Sequence, residues 1–263
     1  MKEKYLENKV FLVTGASSGI GYETTMLLLE NGSIVYAMVR NVAALAELQK
    51  QYKKNLIVFK GDVTRQKECE KFVNIASKKE NKLYGLIHCA GVGIRSSARQ
   101  IKEEVFHDVM NTNFYAMIYL FNATRRYLES SRGHVVAVSS VQGIVALPYR
   151  SVYSAAKHAL NAFIRSVRFE EKDIHFLCVN YGYVKTRFSH NALTGDGKKF
   201  NQQGRGQSKG MDARKAATLM LKAMVGRKKE IIPAGIKIKF ALCVYRFFPW
   251  LFDKFADRYA EKI

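Results

Sequence analysis

The segment Tyr153-Ser154-Ala155-Ala156-Lys157 is the part of this chain best equipped to move a proton. On a helix, the i, i+4 spacing sets phenol and ammonium on one face. A free tyrosine has a pKa of about 10, a poor proton shuttle near neutrality. A neighbouring lysine and a second cation bound close by would both favour phenolate. Together they are expected to lower that value by about two to three units, or roughly 3 to 4 kcal/mol. Ser140 lies in Val138-Ser139-Ser140-Val141-Gln142-Gly143, thirteen residues before Tyr153. Its hydroxyl suits a substrate oxygen held beside the phenol. Asn113, in Met110-Asn111-Thr112-Asn113-Phe114, is a polar residue within an otherwise apolar helical stretch. An unpartnered buried amide is costly, so this side chain is expected to hold a water or a backbone carbonyl. Such a set fits interconversion of a carbonyl and an alcohol, which needs a hydride carrier.

Residues for that carrier lie near the N-terminus. Thr14-Gly15-Ala16-Ser17-Ser18-Gly19-Ile20-Gly21 joins a short apolar run, Val10 to Thr14, to a helical stretch. Gly15 permits a tight turn, Gly19 lets the backbone approach a pyrophosphate, and Gly21 allows helix to pack on strand. Amides at the helix start, around Ser17, Ser18 and Ile20, then face the phosphates. At the end of the second strand, Val39-Arg40-Asn41 has no carboxylate at the first two positions to hold a ribose 2′-hydroxyl. Arg40 instead offers a planar fork suited to a 2′-phosphate, which points to NADP(H) over NAD(H). In Gly61-Asp62-Val63, Asp62 is placed either to accept from an adenine amino group or to cap the following helix. Val63 is placed to pack on the adenine ring.

These residues need a scaffold that brings distant segments together. Apolar runs at Val10–Thr14, Ser33–Val39, Leu56–Lys60, Leu83–Cys89, His134–Ser139, Ile174–Asn180 and Glu230–Ile232 read as strands. Helical stretches separate them: Ile20–Glu30, Val42–Tyr52, Gln66–Lys79, Phe106–Leu128, Val152–Phe169 and Ala213–Val225. This alternation predicts an α/β fold, a doubly wound seven-stranded parallel sheet of Rossmann type with helices on both faces. Ligands in such sheets bind at the carboxyl ends of the strands, where the motifs fall. One domain is expected over residues 1–235, with residues 236–263 as its C-terminal helical tail.

Taken together, the motifs resemble the short-chain dehydrogenase/reductase family over roughly Val10 to Thr186. The family pattern T-G-x-x-x-G-x-G matches Gly15, Gly19 and Gly21, and its catalytic Asn, Ser, Tyr and Lys fall on Asn113, Ser140, Tyr153 and Lys157. The resemblance implies that hydride passes between NADP(H) and the carbonyl carbon while Tyr153 protonates the oxygen. It further implies that Ser140 orients that oxygen, Lys157 holds the nicotinamide ribose, and Asn113 positions a water linking Lys157 to solvent. Ala90, Gly91, Val184 and Thr186 are implied as further cofactor contacts, the last two at the nicotinamide amide and phosphate. Two positions depart from the pattern. Asn-Asn-Ala-Gly reads His88-Cys89-Ala90-Gly91, which is expected to lose a side-chain hydrogen bond bracing the sheet, and Pro-Gly reads Tyr181-Gly182. The alternative function is an NADP(H)-binding regulator without turnover, which has no need of Asn113 or Ser140.

The segment Phe188 to Met211, rich in Gly, Lys, Asn and Gln, reads as a mobile lid. Val145, Leu147, Pro148 and Tyr149 neighbour the catalytic Ser and Tyr, which leans towards a lipophilic ketone or aldehyde. Cys69, Cys89, Cys178 and Cys243 are scattered without metal-ligand spacing, so neither a metal nor disulfides are expected. No signal segment or spanning run is read, and a cytoplasmic protein is expected, with contact at the membrane face left open. The formal charge of +21 attracts anions, but no nucleic-acid module accompanies it, so nucleic acid is not an expected partner. A homo-oligomer is expected. From Ile236 the tail interleaves Phe240, Val244, Phe247, Leu251 and Phe255 with Lys237, Lys239, Arg246, Lys254 and Arg258, and Pro249 should split it into two helices. It suits either a membrane interface or packing on the protein or a partner subunit.

Overall fold

A computed structural model describes residues 5–80, 82–202 and 208–260. Seven parallel strands lie in the order β3-β2-β1-β4-β5-β6-β7. They are β1 (Val10–Thr14), β2 (Ile34–Val39), β3 (Leu56–Lys60), β4 (Gly85–His88), β5 (His134–Ser140), β6 (His175–Tyr181) and β7 (Glu230–Ile231). Parallel neighbours need crossovers, supplied by α1 (Gly19–Glu30), α2 (Ala46–Gln51), α3 (Gln66–Glu80), α4 (Glu103–Met110), α5 (Ala116–Ser131), α6 (Ser151–Glu170) and α7 (Ala213–Val225).

Alternate residues of β1 to β6 feed two cores. Phe11 and Val13 of β1 pack with Leu27 and Leu28 of α1 and with Met220 and Leu221 of α7. Val10 and Leu12 pack instead with Phe72 of α3, Leu120 of α5 and Leu160 of α6. Both strand faces are covered, which is why the strands read as continuous apolar runs rather than alternating ones. Gly85 belongs to this packing, since a Cβ there would lie 2.6 Å from the Phe11 ring.

Three local departures matter. The stretch predicted as helix over Val42–Tyr52 divides into a 3₁₀ turn, Val42–Leu45, and the short α2, with Asn41 capping the turn through Ala43 N at 3.1 Å. The predicted helix from Phe106 to Leu128 starts earlier, at Glu103, and a π turn over Asn111–Tyr115 interrupts it. The lid is not free coil in its described parts. Leu193 bonds Gly93 O at 2.8 Å, Arg95 N bonds Leu193 O at 2.8 Å, and Lys102 N bonds Gly195 O at 2.9 Å. The predicted Gly204-Arg205-Gly206 stretch lies outside the described residues.

Beyond β7 the tail folds as two helices, α8 (Ile236–Phe247) and α9 (Pro249–Ala260), broken at Pro249 as its ring requires. They pack on each other through the Tyr245 and Phe252 rings, 5.1 Å apart and edge-on. No helix among the described residues is long and apolar enough to cross a membrane.

Candidate active site

The carboxyl ends of the strands enclose a cavity of about 690 Å3. Around it stand Gly15, Ser17, Ser18, Gly19, Ile20, Gly21, Arg40, Asp62, Val63, Ala90, Gly91, Ser140, Tyr153, Lys157, Val184 and Thr186. Residues as far apart in sequence as Gly15 and Thr186 therefore share one space because parallel strands all end on the same side. Asn113 alone of the predicted set stands behind the wall.

At the glycine loop, Gly15 has φ +68° and a Cβ there would lie 2.6 Å from Ala90 N, so only glycine fits. At Gly21 the same atom would meet Gly15 O at 2.2 Å, which is the close helix-on-strand approach the spacing predicts. Helix α1 begins after Ser18 with no side-chain cap and no acidic residue in its first turn. Its first amides and the positive end of its dipole are thus left for an anion. A dinucleotide pyrophosphate fits this cradle. Arg40 is exposed at the far rim, and no carboxylate among the described residues forms an ion pair with it.

Asp62 is committed locally. One carboxylate oxygen accepts from both N and Oγ1 of Thr64 at 2.9 Å, while Glu68 accepts from Asp62 N at 2.7 Å. These bonds close a turn ahead of α3, whose first residue is Gln66, rather than capping the helix itself.

The i, i+4 pair sits on α6 as expected, with Tyr153 and Lys157 both turned inward and buried. Lys157 Nζ donates to Val138 O at 2.9 Å and lies 5.8 Å from the Tyr153 ring centre. Ser140, the last residue of β5, accepts from Gln142 N at 3.1 Å, which fixes its hydroxyl beside the phenol. The expected lowering of the phenol is not seen in the chain by itself. Burial pushes Tyr153 up to about 12, opposed by its hydrogen bond with Ser140 and by the Arg150 charge. Burial likewise brings Lys157 down to about 8. Desolvation outweighs the neighbouring charges because the pocket wall closes over both groups. Phe188 belongs to that wall, and its ring centre is 5.7 Å from that of Tyr153.

Asn113 finds the backbone carbonyl partners expected of a buried amide. Its amide nitrogen donates to Val92 O at 2.8 Å and to Val109 O at 2.9 Å, and its oxygen accepts from Val92 N at 3.3 Å. The side chain is thus bonded to backbone through both its nitrogen and its oxygen. It ties the π turn to the strand exit at Gly91–Gly93. The bracing hydrogen bond expected to be lost at His88 is also present, because the imidazole bonds Thr14 Oγ1 at 2.8 Å and joins β4 to β1. Burial, with the Lys157 charge acting in the same direction, lowers His88 to about 3. Tyr181, where the family has proline, sends its hydroxyl to Ala216 O at 2.8 Å and anchors α7.

Sequence reasoning missed Phe188, Leu193 and Val92 as cavity walls, and Asp108, Arg187 and Lys199 at its edge. It proposed instead Val145, Leu147, Pro148 and Tyr149, none of which lines the cavity. The available signal was Phe188 itself, an aromatic two residues after Thr186 at the root of the lid.

Comparison with known proteins agrees with this geometry. The family model described as short chain dehydrogenase matches residues 9–196. Dehydrogenase/reductase SDR family member 7B of Xenopus laevis is 33% identical over 277 residues, covering 98% of this chain and 84% of that protein. Among solved structures, a short-chain dehydrogenase/reductase of Burkholderia phymatum in complex with NAD superposes with a TM-score of 0.82 at 18% identity, covering 95% of this chain and 96% of the other. A short-chain dehydrogenase of Burkholderia cenocepacia in complex with NADP gives a TM-score of 0.78 at 22% identity, with 94% and 96% covered. With the glycine cradle, the Ser140-Tyr153-Lys157 cluster and these matches together, the chain belongs to the short-chain dehydrogenase/reductase family of oxidoreductases.

Proposed function

We propose that this chain transfers hydride between NADP(H) and a carbonyl/alcohol pair, with a lipophilic ketone or aldehyde as substrate. The observation carrying this reading is the convergence of Ser140, Tyr153 and Lys157 on the same cavity as the glycine cradle and Arg40. Val92, Phe188 and Leu193 give that cavity an apolar wall, which supports the lipophilic substrate.

When bound, the nicotinamide supplies the hydride. The chain's own groups do the rest. Amides of the Ser17–Ile20 turn hold the pyrophosphate, Arg40 pairs with the 2′-phosphate, and Val184 and Thr186 fix the nicotinamide end. Tyr153 Oη gives its proton to the carbonyl oxygen as negative charge develops there. Ser140 Oγ holds the same oxygen, and Lys157 holds the ribose while keeping a cation near the phenol. A phenol that stays protonated suits the reductive direction.

The test is a panel of ketones and aldehydes followed by loss of NADPH absorbance, with dissociation constants for both cofactors. NADPH is expected to bind at least about tenfold more tightly than NADH, or about 1.4 kcal/mol. Arg40→Asp is expected to erase or reverse that preference. Equal constants in the native protein overturn the NADP(H) assignment. Tight NADPH binding with no turnover across the panel supports the regulator instead.

A further inference from the structure

The aromatic residues of the tail do not behave as core. In α8, Ile236 is 81%, Phe240 68% and Phe247 64% exposed, and Cys243 is exposed between them. Their spacing of i, i+4, i+7 and i+11 puts all four within an arc of about 60° on one helix face. An amphipathic helix normally turns such a stripe inward, but α8 buries none of its residues and turns this stripe to solvent. On either side of the break at Pro249, Phe248 is 54% and Trp250 59% exposed. The hairpin's own contacts use other residues. Phe252 is buried against Tyr245 and so falls outside this surface. The Phe255 side chain lies outside the described residues.

Charge selects the occupant. Residues 236–260 carry Lys237, Lys239, Arg246, Lys254 and Arg258 against Asp253 and Asp257. By helical position Lys239 and Arg246 lie along one edge of the stripe, Arg246 stands over the Phe247 ring and Lys254 over the Trp250 ring. Long cationic side chains beside an exposed apolar stripe suit an interface where carbon is buried and charge stays at headgroup level. A second copy of the chain is a poorer match, because a two-fold contact sets this cationic surface against itself on a chain of net charge +21.

The hairpin is also rooted at the cavity. Gly182, which lines the cavity, donates to Pro233 O at 3.2 Å, and a Cβ at Gly182 would lie 2.9 Å from Ala234 Cβ and 3.1 Å from Ile238 Cδ1. We infer that the exposed face of Ile236, Phe240, Phe247, Phe248 and Trp250 docks on an anionic lipid bilayer surface and holds the cavity close to it. The docking surface is independent of the turnover proposed above, since it rests on a different part of the chain.

The experiment is flotation of the full chain with phosphatidylcholine vesicles, with and without phosphatidylserine. It is repeated with Phe240→Ser, Phe247→Ser and Trp250→Ser combined. The three side chains are solvent-facing, so the variant should fold, and unchanged circular dichroism and thermal midpoint establish that it has. The native chain is expected to float with phosphatidylserine vesicles at low salt and at least about tenfold more weakly with neutral ones. High salt should weaken the anionic binding. The triple variant should lose binding by about tenfold or more. A native chain that stays unbound with anionic vesicles overturns the proposal, as does a folded triple variant that floats equally well. A native dimer that the triple substitution converts to monomer, with neither form floating, overturns it in favour of self-association.

Discussion

A phenol buried as deeply as Tyr153 keeps its proton across the ordinary pH range, since burial lifts it to about 12. That is the form needed by a donor to a carbonyl, and it makes Tyr153 hard to replace. Tyr153→Phe keeps the ring and its contact with Phe188 while removing the only proposed proton donor. NADPH binding is expected to persist, while turnover in a single-turnover assay falls by about 10² or more. A smaller loss points to a water or another side chain as donor. Lys157 behaves differently because it serves two tasks in the proposed mechanism, so Lys157→Ala is expected to weaken cofactor binding and turnover together. The i, i+4 pairing was legible in sequence because helix geometry alone sets it. The direction of the phenol's shift was not, since desolvation depends on Phe188 and on packing from other elements.

Among the elements, the π turn at Asn111–Tyr115 and the end of β4 act as one unit. Asn113 completes that unit with three hydrogen bonds to backbone of Val92 and Val109. Deleting the amide strands these groups in a buried place, where an unmade bond costs about 1–3 kcal/mol each. Asn113→Ala is therefore expected to lower unfolding free energy by about 2–4 kcal/mol in urea titration. Cofactor affinity should fall with it, as the Gly91–Gly93 wall loosens. An Asn113→Ala protein as stable as the native one shows that these bonds contribute little. The polar residue stood out in the sequence against its apolar neighbours, but its partners did not. Val92 lies 21 residues away, and only the fold of the β4 exit brings it there.

At the scale of the molecule, buried neutral histidines tie stability to pH. His88 and His134 are both lowered from 6.5 to about 3, chiefly by burial. His134 pairs with His175 across β5 and β6, Nδ1 to Nδ1 at 2.8 Å. As pH falls below 6.5, the unfolded chain binds protons at these positions and the folded chain does not. The contribution is thus fully present above 6.5 and is lost progressively towards about 3. Each such histidine contributes about 1.4 kcal/mol per pH unit in that window. His88→Asn can keep the bond to Thr14 while removing one titrating group. Urea midpoints are expected to change little at pH ~7.5, whereas the loss between pH ~6.5 and ~5 should shrink by about 2 kcal/mol relative to the native protein. An equal acid loss in both proteins places the sensitivity at the His134–His175 pair or in the carboxylates.

By itself the sequence determined the parallel doubly wound sheet, the glycine cradle after β1 and the placing of Ser140, Tyr153 and Lys157 at one end of that sheet. These follow from local causes: apolar runs that demand cover on both faces, glycines where a Cβ cannot fit, and a helix period that pairs residues four apart. The order of strands then delivers Gly15 and Thr186 to the same cavity without any further instruction. Only the tertiary structure decided where non-local partners lie. It turned the Asn113 amide towards Val92, gave His88 a bond to Thr14, and laid Phe188 over Tyr153. It also sorted the tail's aromatics, folding Phe252 inward against Tyr245 while Phe240, Phe247 and Trp250 face solvent. Composition could not separate those residues, because burial is decided by what a side chain meets across space rather than by its neighbours in the chain.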